Sequence, residues 1–141
     1  MTSEQKTSKT INIILWTAQV LLAVTFIWAG AMKIFKPADL PWLWIKENPN
    51  LVKTTGILDL LAGIGLVFPA LLRIQPKLTI YASFGTIALM IGASIFHISR
   101  GEVKDIGFNI FMALLAVFIA WGRQTKAPIT NDTTVQTLNR Q

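Results

Sequence analysis

From Ile11 to Gly30 the chain carries no charged side chain, and from Leu78 to Ser99 only His97 titrates near neutral pH. Uninterrupted apolar runs of about 20 residues match the hydrocarbon thickness of a bilayer. A chain of 141 residues has room for one domain, too small to bury several such runs away from water. The charged fraction points the same way, at 14% against roughly 25% in soluble domains. The expected fold is therefore all-α, an antiparallel bundle of four transmembrane helices whose first partner is the lipid bilayer.

The absence of cysteine excludes disulfide scaffolds, thiol redox cycling, CxxCH haem attachment and thiolate zinc sites. With a single histidine, no metal site made of protein ligands alone is expected. A net charge of +6 raises the question of nucleic acid. The Lys and Arg residues sit at helix ends and tails, where they meet anionic headgroups, so no nucleic-acid partner is expected.

Residues 1–10 read as a polar N-terminal tail and 123–141 as a polar C-terminal tail, with the membrane domain between them at 11–122. Its helices are expected at about 11–35, 54–72, 78–98 and 105–121. Ala29-Gly30-Ala31 fits a signal-cleavage pattern, but the apolar run before it is longer than a signal's, so the first helix is expected to stay. Between the first two helices, Pro37, Pro41 and Pro49 break up the chain while Trp42 and Trp44 suit the headgroup zone. That segment is expected to be a loop on the membrane surface. The short connections at Arg73 to Lys77 and at Ser99 to Lys104 make the later helices antiparallel neighbours. Seven Lys and Arg residues fall on the side of the termini and six on the other, the second set spread over a longer loop. Both termini are accordingly expected to be cytoplasmic, with the Trp-bearing loop outside.

Asp59 is the residue that demands explanation. A carboxylate inside a membrane helix costs about 2.5 to 3.5 kcal/mol on insertion scales unless protein or water shelters it. At 1.5 Å per residue, Asp59 and Asn109 each lie about 6 Å from their helix midpoints, His97 about 13 Å and Lys33 about 15 Å. Alternate helices run in opposite directions, so all four displacements point towards the Trp42 side. The expectation is a cavity open to that side, floored by Asp59 and Asn109, rimmed by Lys33, His97, Arg100 and Glu102, with Trp28 as its aromatic wall. Asp59 also has a purely structural reading, as an interhelical tie bonded to Asn109 or paired with Lys33. His97 can equally be an interfacial residue, Lys33 a snorkelling anchor, and Arg100-Gly101-Glu102 a solvated turn. Gly56 and Gly63 flank Asp59 on one stripe, and Gly85, Ala88 and Gly92 line another in the third helix. Ala113, Ala116 and Ala120 do so in the fourth, and all three stripes suit close helix packing.

Three stretches resemble the DoxX-like family of small four-helix bacterial membrane proteins. They are Trp28-Ala29-Gly30-Ala31-Met32-Lys33-Ile34-Phe35, the run from Gly56 to Leu66 around Asp59, and His97-Ile98-Ser99-Arg100-Gly101-Glu102. The resemblance covers roughly residues 11–122. Many relatives have Glu where this chain has Asp59, one methylene longer. The resemblance implies a four-helix bundle in the inner (plasma) membrane. Some relatives are associated with quinone-linked sulfur oxidation or membrane redox complexes, and more distant ones with assembly of other membrane proteins.

No nucleophile, metal cage or phosphate loop can be recognised, so catalytic residues are not assigned and activity of the chain on its own is not expected. The first functional expectation is an accessory or binding protein. Its cavity would hold a small amphipathic ligand or a partner's helix, with no resident cofactor, and its partners in the membrane would be another membrane protein or further copies of the chain as a homo-oligomer. The alternative is a membrane subunit of a quinone-linked oxidoreductase complex, with Asp59 and His97 exchanging protons with a quinone. A partner subunit would then have to supply the electrons.

Overall fold

The computed structural model describes residues 2–129. Helix α1 runs Ser3–Phe35, the short α2 Leu43–Glu47, α3 Pro49–Leu72, α4 Lys77–Ser99 and α5 Ile106–Thr125, with 3-10 turns at Pro37–Asp39 and Val103–Asp105. The four long helices are each long and apolar enough to cross a membrane. Their outward faces carry large apolar side chains such as Ile14, Leu21, Leu61, Ile95 and Leu114, which water would not tolerate in such numbers. The protein is a membrane-spanning four-helix bundle, as the apolar runs require.

α1 packs on α3, α3 on α4, α4 on α5 and α5 back on α1. The ring closes around a core of Leu22, Phe26, Leu66, Met90, Met112, Ala116 and Ile119. At the α1–α3 contact a Cβ on Gly30 would stand 2.6 Å from the Gly56 carbonyl oxygen, and one on Gly63 would stand 2.9 Å from the Ala23 carbonyl oxygen. Bare backbone lets these two helices meet at van der Waals distance, as lipid-embedded helices do where no water drives them together.

Several boundaries differ from the sequence expectation. The N-terminal tail is helical from Ser3, because Thr2 and Gln5 form a reciprocal capping box. The Thr7 and Thr10 hydroxyls then bond carbonyls one turn back. The second membrane helix starts at Pro49 instead of residue 54; proline at the first helical position needs no N–H partner. The segment between α1 and α3 is not all loop: Leu43–Glu47 is helical. It folds over the bundle end as α2, burying Leu40, Trp44, Ile45 and Val52 against Met32 and Phe96.

The α4 stripe of Gly85 and Gly92 is no packing seam, since a Cβ at either position would meet nothing within 4 Å. α4 turns Thr79, Ser83, Thr86 and Met90 inward instead. Ser83 and Thr86 donate to carbonyls of their own helix at 2.9 and 2.8 Å, so their hydroxyls can be buried. Arg123 lies not in a polar tail but in the last turn of α5, where it is buried. Residues 130–141 of the expected C-terminal tail lie outside the described residues.

Candidate functional site

At the α2 end of the bundle, α1, α3, α4 and α5 line a half-open cleft of about 800 Å3. Lys33 comes from the last turn of α1, and its Nζ donates to Asp59 Oδ2 at 2.7 Å. It reaches inward because Gly30 and Gly56, each three residues before a member of this pair, bring α1 and α3 together at that level. The Asp59 side chain is 5% exposed and that of Lys33 15%. The ammonium also sits 5.7 Å from the centre of a Trp44 ring, within range of a cation–π attraction.

Across the cleft stands Asn109, 7% exposed, with an Nδ2 that has no hydrogen-bond partner among the described residues. Asp59 is therefore tied to Lys33, and the alternative tie to Asn109 is not made. His97 forms part of the rim. Its Nδ1 is 2.8 Å from Glu102 Oε2, so the ring donates there to the carboxylate.

Arg100 and Glu102 do not line the cleft; they hold its rim from behind. Arg100 donates through Nε to Glu102 Oε1 at 3.1 Å and through Nη2 to Glu47 Oε2 at 2.7 Å, joining the α4 end to α2. The hydrogen bond to His97 first, and that from Arg100 second, hold the Glu102 carboxyl below the usual carboxylate range. The bond to Glu47 raises the Arg100 guanidinium further above its already high value. Trp28 lines the cleft, with much of its ring facing outward. One site thus gathers Lys33, Asp59, His97, Asn109 and Trp28, with Arg100 and Glu102 one contact removed.

Sequence reasoning missed Trp44 and Phe96, which pack edge to face at 5.5 Å and both line the cleft. It also missed Thr55, one turn before Asp59 on the same face of α3, where i, i+4 spacing gave the signal. Asp105 was missed as well. One ligand atom from each of Asp105, His97 and Glu102 lies within 4.8 Å of the others. Both Glu102 oxygens are already engaged by His97 and Arg100, so a cation there would have to displace existing bonds. The walls between the polar groups are apolar, from Phe26, Leu40, Leu89 and Phe108. A molecule with a small polar head and an apolar body matches that pattern.

Over residues 17–119 the chain matches the family model described as DoxX-like family. No curated protein and no solved structure matches it.

Proposed function

From the premise that the chain belongs to the DoxX-like family, we propose that it is a binding or accessory protein of the membrane, whose cleft takes a small amphipathic ligand. The observation that carries this reading is the buried Asn109 Nδ2, which has no partner among the described residues. Burying an amide donor without an acceptor costs about 1 to 3 kcal/mol, a sacrifice understandable where a ligand supplies the missing partner. The Lys33–Asp59 pair orients the head and the aromatic walls hold the body.

Lipid extraction of the purified protein, followed by mass spectrometry, should return one such molecule in stoichiometric amount. Asn109→Leu removes the orphaned amide at similar volume. It should leave detergent stability equal or higher while weakening ligand retention about 3- to 10-fold, the worth of one hydrogen bond. Undiminished retention would move the binding place elsewhere, and a partner's helix or a second copy would then be the occupant to seek.

A quinone is the specific ligand that a second reading names. Its carbonyls are acceptors for a donor such as Asn109, its ring suits walls of Trp28 and Phe26, and Asp59 and His97 supply proton-exchanging groups. The protein would then be a membrane subunit of a quinone-linked redox complex, with electrons entering from a partner. Finding quinone in the extract, with quinol turnover once the partner is restored, would favour this reading over the passive one.

We place the bundle in the plasma membrane with both termini cytoplasmic, following the Lys and Arg distribution. The cleft then opens outward. Trp42 is exposed, so Trp42→Cys should react with an impermeant thiol reagent added to intact cells; labelling only after lysis would invert the topology.

A further inference from the structure

Among the described residues, the opposite end of the bundle holds a cation with no counter-charge. Arg123 is 2% exposed. Its Nε donates to Gln19 Oε1 at 2.6 Å, and its Nη1 donates to Asn12 Oδ1 at 2.6 Å and to the Ala127 carbonyl at 3.0 Å. Those acceptors are all neutral, and Nη2 has no partner among the described residues. The guanidinium lies 5.2 Å from the centre of a Trp16 ring, which steadies it without neutralising it. A buried cation held only by neutral acceptors is expensive, because its desolvation is not offset by an opposite charge.

Arg123 also forms part of the wall of a second cavity, of about 480 Å3, between the start of α4 and the end of α5. Lys77 and Tyr81 line the same cavity, together with the apolar Ile80 and Phe84. Lys77 is the first residue of α4, so the positive end of that helix dipole lies there too. This end is distant in the fold from the Asp59 cleft, and nothing about it depends on what that cleft binds.

We infer that the cavity between the start of α4 and the end of α5 binds a phosphate group, with Arg123 and Lys77 as its cationic partners and Tyr81 as a further donor. Two independent observations support it: a buried guanidinium without a counter-charge among the described residues, and a cavity whose wall includes both it and a second cation, Lys77. Apolar surface next to the cations favours the phosphate of an anionic phospholipid, whose chains would lie along Ile80 and Phe84. Basic pockets between helices at the membrane edge suit such headgroups.

The test uses the full chain in detergent, with thermal unfolding followed as phosphatidylglycerol, phosphatidylcholine or inorganic phosphate is added. Phosphatidylglycerol should raise Tm by about 5 °C or more near saturation. Phosphatidylcholine should have little effect, and the rise should shrink by at least half in both Arg123→Gln and Lys77→Gln. Lys77 is exposed, so its variant decides the matter even if loss of Arg123 prevents folding. A variant-sensitive rise with inorganic phosphate alone would support the same site with free phosphate as its source. The inference is overturned if neither phosphatidylglycerol nor phosphate raises Tm, if phosphatidylcholine does so equally, or if Lys77→Gln responds as the unaltered protein does.

Discussion

Lys33→Met should destabilise the protein in detergent by about 3 kcal/mol or more, whereas the double variant Lys33→Met with Asp59→Leu should recover most of that loss. Removing one member of a buried ion pair leaves the other desolvated and unpaired, typically at a cost of about 3 to 5 kcal/mol; exchanging both for apolar groups is often close to neutral. The two members are unequal. The Asp59 side chain is 5% exposed against 15% for Lys33, and the long Lys33 stem can carry its ammonium back towards the open side of the cleft. Stranding the carboxylate should therefore cost more than stranding the ammonium, making Asp59→Asn the milder single change. A double-mutant cycle on thermal or denaturant unfolding should give a coupling of about 3 kcal/mol, at the upper end for residues in contact. Simple additivity would mean that the 2.7 Å contact adds nothing to the fold. The double variant also separates structure from function: a stable protein that no longer retains its ligand would assign the pair to binding, and unchanged retention would leave it an interhelical tie.

The positions of the membrane helices were legible because hydropathy and length are strong signals for a bilayer span, and their antiparallel order followed from the short turns. The partner of Asp59 was legible only as two alternatives. Lys33 and Asn109 lie on different helices, and the choice depends on how α1 and α5 rotate about their own axes, which the apolar pattern of a lipid-exposed helix specifies poorly. Trp44 was misread for a related reason. An indole with an apolar body and one N–H suits a headgroup layer and a buried corner equally well, and only the folding back of α2 over Phe96 distinguishes them. Gly85 and Gly92 show that helical spacing of small residues permits close packing without requiring it. The signal that was available lay in Thr79, Ser83 and Thr86, hydroxyls that can satisfy themselves on their own helix. Likewise Ala116, Ala120 and Arg123 continue one helical stripe, but the polar composition after residue 122 hid it. The 2–5 segment carries a readable capping box, overlooked because polar residues ahead of a membrane span look like a tail.

The α1–α3 contact makes the cleft sensitive to a residue that does not line it. Gly30→Val should destabilise the bundle by about 3 kcal/mol or more and sharply reduce ligand retention. Its first added carbon would fall 2.6 Å from the Gly56 carbonyl oxygen and 2.9 Å from the Leu60 backbone nitrogen. Those are backbone atoms, which cannot swing aside as a side chain tip does, so the helices must separate, at or above the upper end of the usual overpacking cost. Separation acts directly on the site, because Gly30 and Gly56 each sit one turn before a member of the Lys33–Asp59 pair, and the spacing they set is the spacing across which that bond is made. Gly85→Ala provides the control, as a side chain there enters open space and alanine is the better helix former by about 0.8 to 1 kcal/mol in water. It should leave stability and retention unchanged or slightly improved. Equal tolerance of both substitutions would mean that α1 and α3 approach less closely than 2.6 Å implies, and the geometry that joins Lys33 to Asp59 would fail with it.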